Sequence, residues 1–440
     1  MTGFPDGFVW GVATSAYQIE GAVQEGGRGV SVWDTFSHAP GRTRGGATGD
    51  VTCDHFHRFP EDVALLRELG VGAYRFSVAW PRVQPGGRGR ANPAGVAFYD
   101  RLVDELLGAG VQPWVTLHHW DLPQELEDAG GWLSRDTAYR FEEYAFLVGE
   151  RLADRAAAFM TLNAPSVVML RGYAHGTHAP GRTLGLGVFP AAHHQLLAHG
   201  LAARALREAG ARQVGIANQY APALPATDRD ADVQAAALMD ALHNHLFTDP
   251  LLRAAYPAPV LDLLREHAPQ LLEAVRPGDL DVIAAPLDVL GVNDAPPDWV
   301  RVDPRRPFGA ARNAVPEDEA TRAGSLTQTL LDLKARHGDA CPPLVVTGRG
   351  CALPDTPDAD GRVRDAARIR SLEAHIEATR LAVQKGAPVT GYLAWTLMDN
   401  FEWADGFDQR FGLVHVDFGT QVRTRKDSFS WCQAWLREQA

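Results

Sequence analysis

Eight short runs of apolar and β-branched residues recur along this 440-residue chain, each followed by a segment whose apolar residues return every three or four positions. A run of that kind suits a buried strand, and the three-to-four spacing draws one apolar stripe along a helix. The runs are residues 8–13, 73–79, 112–117, 158–162, 214–217, 289–292, 344–347 and 391–396. Helical spacing falls at residues 61–69, 99–107, 137–152, 192–207, 326–336 and 369–383. Strand-helix alternation favours parallel pairing, since each helix returns the chain to the edge where the last strand began. Eight such units predict an α/β fold, a single (β/α)8 TIM barrel with residues 1–440 as one domain. Residues 37–51, 304–317 and 354–362 are the expected loops. In such a barrel the ligand pocket lies at the C-terminal ends of the strands, so the residues just after each run carry the chemistry.

Charge removes one class of partner. Lys and Arg number 42 against 54 Asp and Glu, a formal net charge of -12, and a polyanion such as nucleic acid is repelled over most of such a surface. No window reaches the roughly 18 apolar residues of a spanning helix, and no basic, apolar leader opens the chain, so no membrane partner is expected. Cys53, Cys341, Cys351 and Cys432 are too few and too scattered for a disulfide framework, which points to reduced thiols in a cytoplasmic protein. No phosphate-cradling loop, dinucleotide fingerprint or HExxH helix is present, so no cofactor and no metal are expected.

The strand ends carry an unusual set of side chains. Gln18 and Glu20 follow the first run, Arg75 lies within the second, and His118, His119, Trp120 and Asp121 follow the third. Asn163 follows the fourth, Asn293 and Asp294 the sixth, Thr347, Gly348, Arg349 and Gly350 close the seventh, and the eighth leads through Trp395 to Glu402 and Trp403. Amide, imidazole, carboxyl and indole groups with few aliphatic ones suit a polyhydroxylated ligand, because every buried hydroxyl needs a partner.

At these positions the sequence resembles glycoside hydrolase family 1, the retaining β-glucosidase and β-galactosidase family, almost end to end. The stretches that carry the likeness are FVWGVATSAYQIEGA from Phe8, GRGVSVWDTFSHAPG from Gly27, YRFSVAWPRVQP from Tyr74, VTLHHWDLPQELEDAGGW from Val115, RGYAHGTHAPGR from Arg171 and AWTLMDNFEWADGFDQRFGLVHVDF from Ala394. The resemblance implies that Gln18, His119, Asn163, Glu402 and Trp403 hold the hydroxyls of a nonreducing sugar, with Trp395 beneath its ring. Trp120, Arg75 and Arg349 complete the expected substrate-binding set. The ligand is thus a small glycoside or sugar-like molecule, neutral or anionic. The Arg423-Thr424-Arg425-Lys426 cluster resembles a family segment and is expected to be structural.

Retaining glycosidases use two carboxyl groups about 5–5.5 Å apart, one to protonate the leaving oxygen and one to attack the anomeric carbon. The resemblance puts these at positions 164 and 348, where this chain has Ala164 and Gly348. The segment after the sixth strand also departs from the family's Asn-Tyr-Tyr, reading Asn293-Asp294-Ala295. On the sequence alone the expectation is little or no retaining β-glucosidase activity. Three readings stay open: an enzyme of altered, non-retaining chemistry with Asp294 and His119 as proton-transfer groups, a glycoside binder without turnover, and a weak β-glycosidase working through Asp294. Asp355, Asp358 and Asp360 read as exposed turn residues.

Overall fold

In the computed structural model the described residues are 3–314, 319–348 and 350–439. Eight strands, β1 (Val9–Ala13), β2 (Ala73–Ser77), β3 (Gln112–His118), β4 (Ala158–Asn163), β5 (Val214–Tyr220), β6 (Val289–Asp294), β7 (Leu344–Gly348) and β8 (Val389–Trp395), close into a barrel. Each pairs in parallel with its sequence neighbours, and β8 closes on β1 with Val9 opposite Gly391 and Ala13 opposite Trp395. The expected (β/α)8 architecture is therefore present, with every predicted run inside or beside a strand.

Helices α1 (His55–Leu69), α2 (Pro93–Gly108), α3 (Asp136–Leu152), α4 (Phe189–Glu208), α5 (Glu319–His337), α6 (Ala366–Gln384) and α7 (Asp427–Gln439) are among those outside the barrel. On α3 the buried positions include Phe141, Tyr144, Ala145, Val148 and Leu152, the three-to-four spacing that turns one stripe inward. Among the described residues no helix is long and apolar enough to cross a membrane.

Side-chain alternation along the strands sets the height of the functional site. Ala73, Trp114, Ala158, Met160, Ala217, Val289, Val345 and Leu393 fill the barrel interior as one apolar plug. Two residues further along the same strands, hence on the same face, come Arg75 after Ala73, Thr116 after Trp114, Thr347 after Val345 and Trp395 after Leu393. A polar floor thus lies directly above the plug. Register irregularities interrupt the ladder between Met160 and Asn163 and between Val346 and Gly348, at the two strand ends where the sequence departs most from its resemblance. Such irregularities re-aim the residues that follow them.

Two expectations are corrected outside the barrel. The stretch 304–317 is not all loop, because Asp298–Val302 pairs antiparallel with Ala310–Ala314. Asp355 is not an exposed turn residue. It is buried, and Lys426 Nζ donates to its Oδ2 at 2.6 Å and to Asp399 Oδ1 at 2.8 Å. An uncompensated ammonium in that interior would be costly, so the lysine draws the segment before α7 against the loop after β7. Arg423 Nε donates to Asp62 Oδ1 at 3.0 Å, giving the C-terminal basic cluster internal partners.

Candidate functional site

The polar floor opens into a cavity of ≈ 380 Å³ at the C-terminal ends of the strands. Arg75, His119, Trp120, Asn163, Asp294, Trp395, Glu402 and Trp403 all line it, as do Ala164 and Gly348. Residues from seven of the eight strands or the loops that follow them therefore meet in one space. Arg349 lies outside the described residues.

Asn163 is the hub of the floor. Its Oδ1 accepts from Arg75 at 2.7 Å and from Asn293 Nδ2 at 2.9 Å, and its Nδ2 meets His119 Nε2 at 3.0 Å. A guanidinium only donates, so the amide oxygen must face Arg75 and the amide nitrogen must face His119. That orientation makes His119 Nε2 an acceptor and places its proton on Nδ1. Burial, with the Arg75 charge and the neighbouring His118 adding to it, holds the His119 imidazolium well below the usual histidine range, so the ring is neutral. Nδ1 is buried with no protein acceptor, which leaves an N–H for a ligand oxygen.

Glu402 stands across the cavity. Burial, reinforced by Asp405 and opposed by the Gln18 hydrogen bond, raises its carboxyl to about 7. Gln18 itself lies behind the wall: its Nε2 donates to Asn400 Oδ1 at 3.0 Å, Phe401 O at 2.8 Å and Glu402 Oε2 at 3.3 Å, and its Oε1 accepts from Ser15 at 2.6 Å. In this structure it positions Glu402 and the loop after β8. Aromatic rings pack around the same space, with Trp403 4.6 Å from both Trp33 and Trp120, and His119 5.7 Å from Trp395.

Three wall residues, Trp120, Ala164 and Trp403, have positive φ (80°, 45° and 52°), a region that costs a side chain on the order of 1–3 kcal/mol. Trp120 Nε1 donates to the carbonyl of Asn163 at 2.9 Å, tying the loop after β3 to the turn at Ala164.

Sequence reasoning passed over Gln219 and gave Asn293 no role, yet both line the cavity. Gln219 sits at the end of β5, which runs to Tyr220 rather than stopping at position 217. Its signal was the polar Asn218-Gln219 pair directly after the apolar run. Among the described residues no group of three His, Cys, Asp or Glu side chains could hold a metal ion.

An aromatic-walled pocket with converging amide, imidazole and carboxyl groups at the C-terminal ends of a parallel barrel defines a (β/α)8 protein with a single-cavity site at its mouth. A sequence model described as glycosyl hydrolase family 1 matches residues 1–440, and the chain belongs to that family. It is 46% identical to a thermostable beta-glucosidase B of Thermobispora bispora, over 99% of this chain and 90% of the other. It is 43% identical to a bifunctional beta-D-glucosidase/beta-D-fucosidase of Bifidobacterium breve, over 99% and 98%. The structure of a beta-glucosidase from Thermotoga maritima in complex with glucoimidazole superposes with a TM-score of 0.93 at 39% identity, covering 99% of each chain.

These relatives overturn the functional expectation drawn from positions 164 and 348. Similarity to β-glucosidases over nearly the whole chain points to ordinary β-glucosidase function. It does not support a non-retaining enzyme of elimination, isomerisation or cyclisation, nor a binder without turnover, nor an activity that is absent or merely vestigial.

Proposed function

We propose that the chain is a β-glucosidase, one barrel domain that binds a β-D-glucoside with its sugar ring over Trp395 and hydrolyses the bond to the aglycone. The observation that carries this reading is the single cavity in which amide, imidazole, indole and carboxyl groups converge. His119 Nδ1 offers a donor, Glu402 an acceptor or donor according to pH, and Trp120, Asn163 and Trp403 complete the sugar site, with Gln18 acting through Glu402. The glucosidase names of the relatives and the glucoimidazole bound by the Thermotoga maritima enzyme support the substrate class.

Positions 164 and 348 carry a methyl group and a hydrogen, so the proton work falls to other groups in this cavity. Asp294, at the end of β6 and one residue beyond the strand partner of Gly348, is the proposed catalytic carboxylate, while neutral His119 keeps its place as a hydrogen-bond donor to the sugar. Turnover of nitrophenyl β-glucoside tests the proposal. The native protein should hydrolyse it, and Asp294→Asn should lower kcat by about 10²–10⁴-fold, the usual worth of positioned acid–base help, with glucoimidazole affinity unchanged. No hydrolysis by the native protein refutes the glucosidase reading, and an unchanged rate in the variant removes Asp294 from it.

A further inference from the structure

The polar floor above the apolar plug is a closed network with one amide left out. Arg75 donates to Thr116 Oγ1 at 2.9 Å and to Asn163 Oδ1 at 2.7 Å, Thr347 Oγ1 donates to Asn293 Oδ1 at 2.8 Å, and Asn293 Nδ2 donates to Asn163 Oδ1 at 2.9 Å. Gln219 belongs to the same inward face, because it follows the plug residue Ala217 by two along β5 and stands opposite Asn293 on β6. Its side chain lines the cavity, yet the carboxamide has no hydrogen-bond partner among the described residues. A primary amide carries two N–H donors and a carbonyl acceptor, and here all of them face the space where a ligand lies.

Barrel order places β5 between β4 and β6 and directly across from β1. Ala164 caps β4, its N–H donating to the Ala217 carbonyl at 2.7 Å, and Asp294 closes β6 opposite Tyr220. Gln219 therefore sits between a methyl group and the proposed catalytic carboxylate. The groups that hold the sugar, His119, Trp395, Glu402 and Trp403, come from β3, β8 and the loops after them. With the sugar there and Asp294 at its anomeric carbon, the aglycone oxygen lies toward β4 and β5. On that side the wall offers Ala164, Val167, Ala295 and Pro296, none of which has a proton to give.

We propose that Gln219 is a catalytic residue that donates an N–H to the aglycone oxygen as the glycosidic bond breaks, and that the substrates are accordingly β-glucosides of acidic hydroxyls, phenols above all. The inference rests on the β-glucosidase reading and names its substrate class. The electron pair of the breaking bond goes to the aglycone oxygen, which leaves as a phenolate. Water supplies the new hydroxyl of the anomeric carbon and releases one proton, which balances the phenolate. A fixed amide donor steadies a developing oxyanion without giving up its own proton, and removing one such donor typically costs about 10²–10³ in kcat. A simple alcohol or a second sugar is far more basic once ionised and needs a full proton to leave.

Phenyl, 4-nitrophenyl and 2,4-dinitrophenyl β-glucosides, in order of rising leaving-group acidity, are compared by kcat/KM in the native protein and in Gln219→Leu. In the native protein kcat/KM should rise by about tenfold or more at each step of the series. Gln219→Leu should lower it by about tenfold or more for the 4-nitrophenyl compound and by about threefold or less for the dinitrophenyl one, whose phenolate needs little help, with glucoimidazole affinity unchanged. Gln219 has no protein partner to lose, and Gln219→Ala gives the same comparison should leucine crowd the floor. A flat series in the native protein means that another group delivers a proton to the leaving oxygen. No loss in the variant, or an equal loss on every substrate, means that Gln219 does not touch that oxygen. Each of these results overturns the proposal and leaves the glucosidase reading standing, whereas a native protein that hydrolyses none of the three overturns both.

Discussion

Asn163 Oδ1 accepts from Arg75 at 2.7 Å while its Nδ2 donates to His119 Nε2 at 3.0 Å, so one amide couples a buried cation to a buried neutral imidazole. The coupling fixes the His119 tautomer. It also makes Asn163 the residue whose loss disturbs the floor most widely, because Arg75, Asn293 and His119 all lose a partner at once.

Asn163→Ala is expected to lower stability by about 1–3 kcal/mol, the cost of leaving buried donors unsatisfied. Because the His119 ring is then free to turn or change tautomer, glucoimidazole affinity should fall at least tenfold as well. Urea unfolding and calorimetry measure the two effects, and a stability loss with undiminished sugar affinity would contradict the role given to His119.

The raised carboxyl of Glu402 sets a pH dependence. Its folded value of about 7 lies above the 4.5 of a free glutamate. Between these values the folded protein holds a proton that the unfolded chain releases, so this group's contribution to stability is present below about 4.5 and lost as pH rises through 7. Sugar binding moves the other way, since the carboxylate accepts from hydroxyls more strongly than the acid does. Glucoside affinity should increase from pH 6 to pH 8, and Glu402→Gln should flatten that profile while lowering affinity at pH 8.

Acid should destabilise the barrel mouth through its histidines. Burial lowers His118 and His178 to about 3, and His119 falls well below its usual range. The unfolded chain takes up these protons below about 6.5 and the folded one does not, so stability is lost as pH drops from 6.5 toward 3. His118 has neither ring nitrogen hydrogen-bonded and packs against Trp132 at 5.4 Å. His118→Phe should therefore shrink the difference in unfolding midpoint between pH 7.5 and pH 4.5, and an unchanged difference would assign the acid sensitivity elsewhere.

Lys426 is expected to be a structural keystone without being a catalytic group. Lys426→Met leaves Asp355 and Asp399 buried with less positive charge beside them, and breaking a buried pair in this way costs about 3–5 kcal/mol. Thermal unfolding should show a large drop in Tm, with the KM for nitrophenyl β-glucoside little altered at a temperature where the variant remains folded.

The barrel was legible in the sequence because parallel strands buried on both faces read as apolar runs, and each helix between them carries its own stripe. Where the reading stopped short, a polar residue closed the run too soon. Asn218 and Gln219 end the apolar pattern of β5 although the backbone stays extended to Tyr220, which hid Gln219 from the pocket. Asp355 was misplaced for a related reason: its turn-like neighbours suggest solvent, and its partner Lys426 lies 71 residues away. Arg75 and Asn163 were legible from their places on the second and fourth runs, yet the lack of a carboxylate facing Arg75 shows only in the folded chain, where its three acceptors are Thr116, Thr347 and Asn163. The functional expectation failed because two positions describe a catalytic step, whereas near-complete similarity to β-glucosidases describes the whole scaffold that presents a substrate.

The left-handed backbone at Trp120, Ala164 and Trp403 has a bearing on how such a protein changes over time. The outline of the pocket is held by main-chain bends on three separate loops and by an indole bonded to a carbonyl, not by the identity of the side chains that happen to face the centre. Residues at the middle can therefore be exchanged while the mould around them persists. A lineage can revise what happens inside this cup many times before it loses the cup itself.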